Sequence, residues 1–141
     1  MTYVIWNPAW ETGIKQIDKQ HRQLLAQFEA LMVAIHENQA DDRIPGLLAF
    51  LSDYAETHFS QEEHYMQASR YPGFVGHKAI HDSMRIRVAE MVDSYMQDPA
   101  SMTEEVLDFL TDWLVGHINE EDRRLAEHLN GFDAKGPWIV P

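Results

Sequence analysis

A chain of 141 residues with 45% apolar content is long enough for one domain with a real core, and its seven glycines and six prolines are too few for a disordered chain. The absence of cysteine excludes disulfides, thiolate catalysis and iron–sulfur clusters, so any metal must be held by nitrogen and oxygen, a donor set suited to iron, manganese or zinc. A formal charge of −12 disfavours nucleic acid and anionic membrane as partners; the apolar runs are too short to cross a bilayer and MTYVIWNPAW carries no signal pattern, so a soluble, cytoplasmic protein is expected.

Residues 1–17 contain Pro8, Gly13, Trp6 and Trp10 without a helical period, and read as an aromatic-rich arm that packs across the rest of the chain. Asp18 is a plausible N-cap for a first helix over 18–38, with Ile17, His21, Leu24, Leu25, Phe28, Leu31, Met32 and Ile35 along one stripe. The segment NQADDR breaks it. Pro45 suits the first turn of a second helix over 44–68, whose stripe runs Leu47, Leu48, Leu51, Tyr54, Ala55, His58, Glu62 and Met66. After the Tyr71-Pro72-Gly73 turn, a third helix over 74–97 places His77, Ile80, His81, Met84, Val88, Met91, Val92 and Tyr95 inside. Ser101 with Glu104 reads as a capping box opening a fourth helix over 102–129. Its stripe is Val106, Leu110, Trp113, Leu114, His117, Ile118, Asp122, Leu125 and Leu129, and Asn130-Gly131 stops it before the tail, 130–141. Four helices of this length with short loops predict an all-α, up-down-up-down four-helix bundle, with residues 1–141 as a single domain.

Seven residues on these stripes are of metal-binding types: His21, His58, Glu62, His77, His81, His117 and Asp122. Residues four apart share a helix face, so His58 with Glu62, and His77 with His81, each aim two ligand groups the same way. One histidine on an apolar stripe is most simply a hydrogen-bonded core residue. Five of them with two acids, buried without a metal, would cost several kcal/mol and strongly shift their pKa values. In an ideal helix Glu121, four after His117, faces its way better than Asp122 does, yet Asp122 shares an inward row with Ile118 and Leu125. A local π-type widening would bring His117 and Asp122 together. His36, at the end of helix one, His64, pointing away from Glu62, and His128, in the last turn, read as ordinary residues without a functional role; Met32, Met66, Met84 and Met91 read as core filler.

The set His21, His58-x-x-x-Glu62, His77-x-x-x-His81 and His117-x-x-x-x-Asp122 resembles the hemerythrin family, its single-domain bacterial members in particular. The resemblance extends over nearly the whole chain, including the Trp-containing arm and the contexts HFSQEEHYM and HINEEDRRL, and it selects Asp122 over Glu121. It implies a four-helix bundle holding two non-haem Fe ions, oxo- or hydroxo-bridged, that binds O2 reversibly. By similarity, His77, His81 and His117 close one iron, His21 and His58 hold the second, and Glu62 and Asp122 bridge the two. An odd number of imidazoles then leaves one position open, on the second iron, for O2. Phe59, Trp113, Leu114 and Ile118 would wall that position with apolar surface, which admits O2 and withholds water; plain core packing explains the same residues equally well.

The expected function is therefore O2 transport, storage or delivery rather than catalysis, with O2 and an oxygen-consuming enzyme as partners and the chain itself a monomer. A di-iron oxidase, peroxidase or nitric oxide-scavenging enzyme is the main rival. Ferritin-like di-iron enzymes draw Glu-x-x-His from two helices, a pattern this chain lacks. An oxygen or iron sensor is the second rival, but no stretch is left over to form an output module once the bundle is built.

Overall fold

The computed structural model describes residues 8–98 and 102–132, apart from the side chains of Ala9, Leu114, Val115, Asn119 and Phe132. A 3-10 turn at Pro8–Trp10 leads into α1 (Lys15–His36), α2 (Ala40–Ala68) and α3 (Phe74–Gln97). The fourth rod is continuous but not uniform: α4 (Met102–Thr111), a π-helix over Asp112–Asp122, and α5 (Arg123–Phe132). Short connections make neighbouring rods antiparallel, giving the up-down-up-down bundle.

The apolar stripes close inward as their periodicity requires, with Leu24, Leu51, Phe59, Met66, Met91, Val106, Leu110, Trp113 and Leu125 fully buried. The buried apolar residues form two clusters. The larger joins Leu24 to Leu31, Ile44 to Phe59, Met84 to Met91 and Met102 to Ile118. The smaller joins Ile14, Ile17, Tyr65, Met66, Leu125, Ala126 and Leu129. Every rod crosses from one cluster to the other, and the residue at the crossing is polar: His21 on α1, Glu62 on α2, His77 and His81 on α3, Asp122 on the fourth rod.

Several local expectations are corrected. Helix α1 begins at Lys15, so Asp18 lies one turn inside it rather than at the N-cap. Its buried carboxylate reaches backwards instead, accepting from the Thr12 amide (2.9 Å), the Thr12 hydroxyl (2.7 Å) and the Gly13 amide (3.2 Å). The backbone follows because Gly13 supplies φ +82°. Helix α2 begins at Ala40, not 44: Asp41 and Asp42 in its first turn complement the helix dipole, and Pro45 removes only one intrahelical bond near an exposed end. Asn130 and Gly131 do not stop the last helix, which continues to Phe132, and the Asn130 amide donates to the Thr12 carbonyl at 2.9 Å, tying the arm to the fourth rod. Of the arm's tryptophans Trp10 packs against the larger cluster; Trp6, the Ser101 capping box and the tail from 133 lie outside the described residues.

Both α1 and α2 end in the same device. The Gln39 amide donates to the Ala34 carbonyl (2.7 Å) and that of Asn38 to Ile35 (3.2 Å); likewise Tyr71 to Met66 (2.8 Å) and Arg70 to Gln67 (3.2 Å). These are Schellman closures, which require a left-handed residue after the cap. Asn38 (φ 58°) tolerates that conformation, whereas Arg70 (φ 55°) adopts it at a cost. Arg70→Gly is therefore expected to raise stability by several tenths to about 1 kcal/mol, part of the relieved strain being offset by the looser unfolded chain. Urea denaturation measures this, and a lower midpoint would mean that the Arg70 side chain holds contacts outweighing the strain.

Candidate metal centre

Each rod delivers its ligand-type side chains to one level of the bundle by spacing alone. On α2 and α3 the four-residue steps stack His58 above Glu62 and His77 above His81. On the fourth rod the π-helix spans His117 to Asp122, and its i to i+5 repeat brings residues five apart onto one face. His117 Nε2 consequently lies 3.0 Å from Asp122 Oδ1. Glu121 sits on the other side of the ring, 3.8 Å from His117 Nδ1. The seven side chains proposed from sequence are all brought together, and all are buried.

They divide into two groups sharing two members: Glu62, His77, His81, His117 and Asp122 in one, His21, His58, Glu62 and Asp122 in the other. The division runs through the carboxylates. Glu62 turns Oε1 towards His81 (3.1 Å) and His77 (3.3 Å) and Oε2 towards His58 (3.1 Å). Asp122 turns Oδ1 towards His77 and His117 (both 3.0 Å) and Oδ2 towards His21 (2.8 Å). Each carboxylate thus presents one oxygen to the three-histidine group and the other to the two-histidine group.

Several of these close atoms are not aligned as hydrogen bonds. His58 Nε2, His77 Nε2, both Glu62 oxygens and Asp122 Oδ1 are buried without a hydrogen-bond partner. His81 Nε2 and His117 Nε2 face each other at 3.1 Å, where one neutral ring can donate its Nε2–H to the other or a cation can accept both lone pairs. Lone pairs converging on common points, with nitrogen and oxygen donors only, fit a pair of cations.

Protons take that role in the metal-free fold. Burial alone would push the His58 imidazolium down, but the charge of Glu62 and close contact with Asp122 outweigh it and raise its pKa to about 9. Burial likewise opposes the His77 imidazolium, and Asp122 and Glu62 overcome it, raising the pKa to about 10. Burial pushes the Glu62 and Asp122 carboxyls up, as does the charge of Asp122 at Glu62, yet the surrounding imidazoles hold both well below their ordinary range.

A second layer orients the rings. His58 Nδ1–H donates to Gln20 Oε1 at 2.5 Å, and the Gln20 amide nitrogen donates to Gln61 Oε1 at 2.5 Å. Tyr54 stacks on His58 (centroids 5.0 Å) and donates its hydroxyl to the Gln20 carbonyl. His81 Nδ1–H donates to Glu63 Oε2 at 2.9 Å, and Arg85 grips both oxygens of Glu63. Sequence reasoning placed Tyr54 among the core residues and passed over Gln20, Glu63 and Arg85. Tyr54 is one turn before His58, a signal that was available, whereas the contacts of Gln20 to α2 and of Glu63 to α3 join different helices and leave no mark on spacing.

Of the expected pocket residues, Phe59 stacks on His81 (4.1 Å, 13°) and lies against Trp113 (4.8 Å), and both, with Ile118, are buried beside the ligand set. The Leu114 side chain lies outside the described residues.

Residues 12–129 match the family model described as the hemerythrin HHE cation binding domain. The chain belongs to the hemerythrin family. Among its relatives, the bacteriohemerythrin of Clostridium acetobutylicum is 33% identical, the match covering 87% of this chain and 98% of that one. The bacteriohemerythrin of Stenotrophomonas maltophilia is 30% identical over 99% of this chain and 94% of its own. The bacteriohemerythrin of Methylococcus capsulatus is 30% identical over 87% and 94% respectively. Membership in the hemerythrin family implies a non-haem iron site, and among the described residues the buried His/Glu/Asp cluster has the donors to form it.

The sign of the pH dependence follows from the raised imidazoles. Their stabilising contribution to the metal-free fold is complete below the unfolded value near 6.5 and is lost as pH rises through about 9 and 10. The metal-free protein is expected to melt at progressively lower temperature from about pH 6.5 to about pH 10, while adding metal at pH 8 in weak buffer releases protons. A flat melting profile with no acidification on metal uptake would contradict this arrangement of imidazoles.

Proposed function

We propose that this chain, as a single hemerythrin-like domain, binds O2 reversibly at a di-iron centre and serves as an oxygen carrier or store. In this reading His77, His81 and His117 hold one iron, His21 and His58 the other, and Glu62 and Asp122 bridge them. The observation that carries it is the splitting of both carboxylates between a three-histidine and a two-histidine group. When bound, a ferrous pair supplies two electrons that O2 can take and return.

The protein's own part is to hold the ligands and keep the site dry. Rigid, stacked rings from Tyr54, Phe59 and Trp113 fix the imidazoles, and Trp113, Ile118 and Phe59 present apolar surface that excludes water. Tyr54 is a poor proton source: burial, then the charges of Glu62 and Asp122, push its hydroxyl well above the ordinary value, and its proton is committed to the Gln20 carbonyl. Withholding protons favours return of O2 over release of hydrogen peroxide. The centre is also poorer in carboxylates than oxygen-activating sites, with five imidazoles to two acids. Among the described residues no helix is long and apolar enough to cross a membrane; the cytoplasm is the proposed site of action.

Iron analysis of protein prepared with excess iron is expected to give two irons per chain, and His77→Ala to lose most of them; one metal per chain would sink the di-iron assignment. The diferrous protein is expected to take up one O2 per iron pair and release it when oxygen pressure is lowered, over repeated cycles followed by visible absorption. Sustained oxygen consumption with a reductant and organic substrate, far above the autoxidation rate, would mark an oxidase instead.

A further inference from the structure

The five imidazoles are not held alike on their outer edges. On the three-histidine side, His81 Nδ1–H donates to the Glu63 carboxylate at 2.9 Å. On the two-histidine side, the corresponding partner of His58 is the neutral amide oxygen of Gln20. The outer nitrogens of His21 and His117 have no hydrogen-bond partner.

Glu63 is more firmly fixed than a surface acid needs to be. Arg85 binds it through two hydrogen bonds, at 2.8 and 3.0 Å, and is itself held by Asp82 at 2.9 Å, which pairs with Lys78 at 2.8 Å. The same guanidinium lies over the Phe59 ring at 5.3 Å, and that ring also makes a parallel stack on His81 at 4.1 Å. Arg85 therefore governs His81 twice, through Glu63 at the ring edge and through Phe59 at the ring face. Gln20 is aimed with comparable care, since its amide nitrogen is occupied by Gln61 and only its oxygen is left for His58.

We propose that Glu63, clamped by Arg85, is a positioning residue for His81 that, set against Gln20 at His58, makes the two iron positions electronically unequal. The proposal rests on the ligand assignment above. A carboxylate accepting from Nδ1–H draws the ring towards imidazolate and makes Nε2 a stronger donor, whereas an amide oxygen does so weakly. The three-histidine iron is then the better stabilised as ferric, and the two-histidine iron keeps the greater Lewis acidity. Glu63 adds this bias through the His81 ring, without itself holding the metal.

The test uses the iron-loaded protein with Glu63→Gln and Gln20→Glu, each checked for helicity by circular dichroism. Iron affinity is measured by chelator competition and the midpoint potential by titration with redox mediators. Glu63→Gln is expected to weaken iron binding roughly ten- to a hundredfold and move the midpoint to more positive potential. Gln20→Glu is expected to move the midpoint the opposite way, which a merely structural role for either residue would not do. An affinity within about twofold of wild type and an unmoved midpoint in Glu63→Gln would overturn the proposal, as would a shift of the same sign in both variants. If Glu63→Gln fails to fold, an unmoved midpoint in Gln20→Glu overturns it alone. Failure of the wild-type protein to hold two irons would instead overturn the ligand assignment.

Discussion

The whole fold turns on seven ionisable side chains buried face to face in the middle of a bundle. Uncompensated, groups of this kind carry desolvation penalties of several kcal/mol each. Mutual pairing of imidazoles with carboxylates is what makes them tolerable, and the geometry required for that pairing fixes the phase of every helix. The apolar core is divided as a result: one large cluster on one side of the polar level, one smaller cluster on the other. Each rod must place apolar residues above and below and a polar residue between, so no rod can slide or rotate without burying an unpaired charge.

Helix termini and helix phase serve the same end. The Schellman closures at Asn38 and Arg70 turn the chain within a few residues, returning α2 and α3 at the correct level. Asp18, placed one turn inside α1, is spent on the arm rather than on the helix start, and Asn130 holds the same arm from the fourth rod. The arm is thereby fastened close to the end of the bundle where Ile14 and Ile17 join the smaller cluster.

The π-helix is the costlier device. Its hydrogen-bond geometry is less favourable than that of an α-helix, and π turns concentrate at functional sites because something there requires the altered phase. Here the requirement is the alignment of His117 with Asp122, 3.0 Å apart. A regular helix would set Glu121 in that direction. The second layer then adds what the seven side chains lack: stacked rings that fix orientation, and different hydrogen-bond partners on the two sides of the cluster.

The sequence by itself determined the helical bundle, its inward stripes and the seven side chains that the fold gathers in its interior, because helical spacing is a local property and a buried histidine or acid stands out against an apolar stripe. It also contained the reason for a π-type widening, since His117 and Asp122 cannot share a face without one, although spacing alone favoured Glu121. The ends of helices differ from expectation at Asp18, whose carboxylate turns back to Thr12 and Gly13, at Pro45, which lies a turn inside α2, and at Asn130, whose amide meets Thr12 across the fold. Only the tertiary structure decided which carboxylate oxygen faces which imidazoles, and that Gln20 and Glu63 stand behind His58 and His81. Those relations join different helices, and no periodicity along one helix can encode the approach of another.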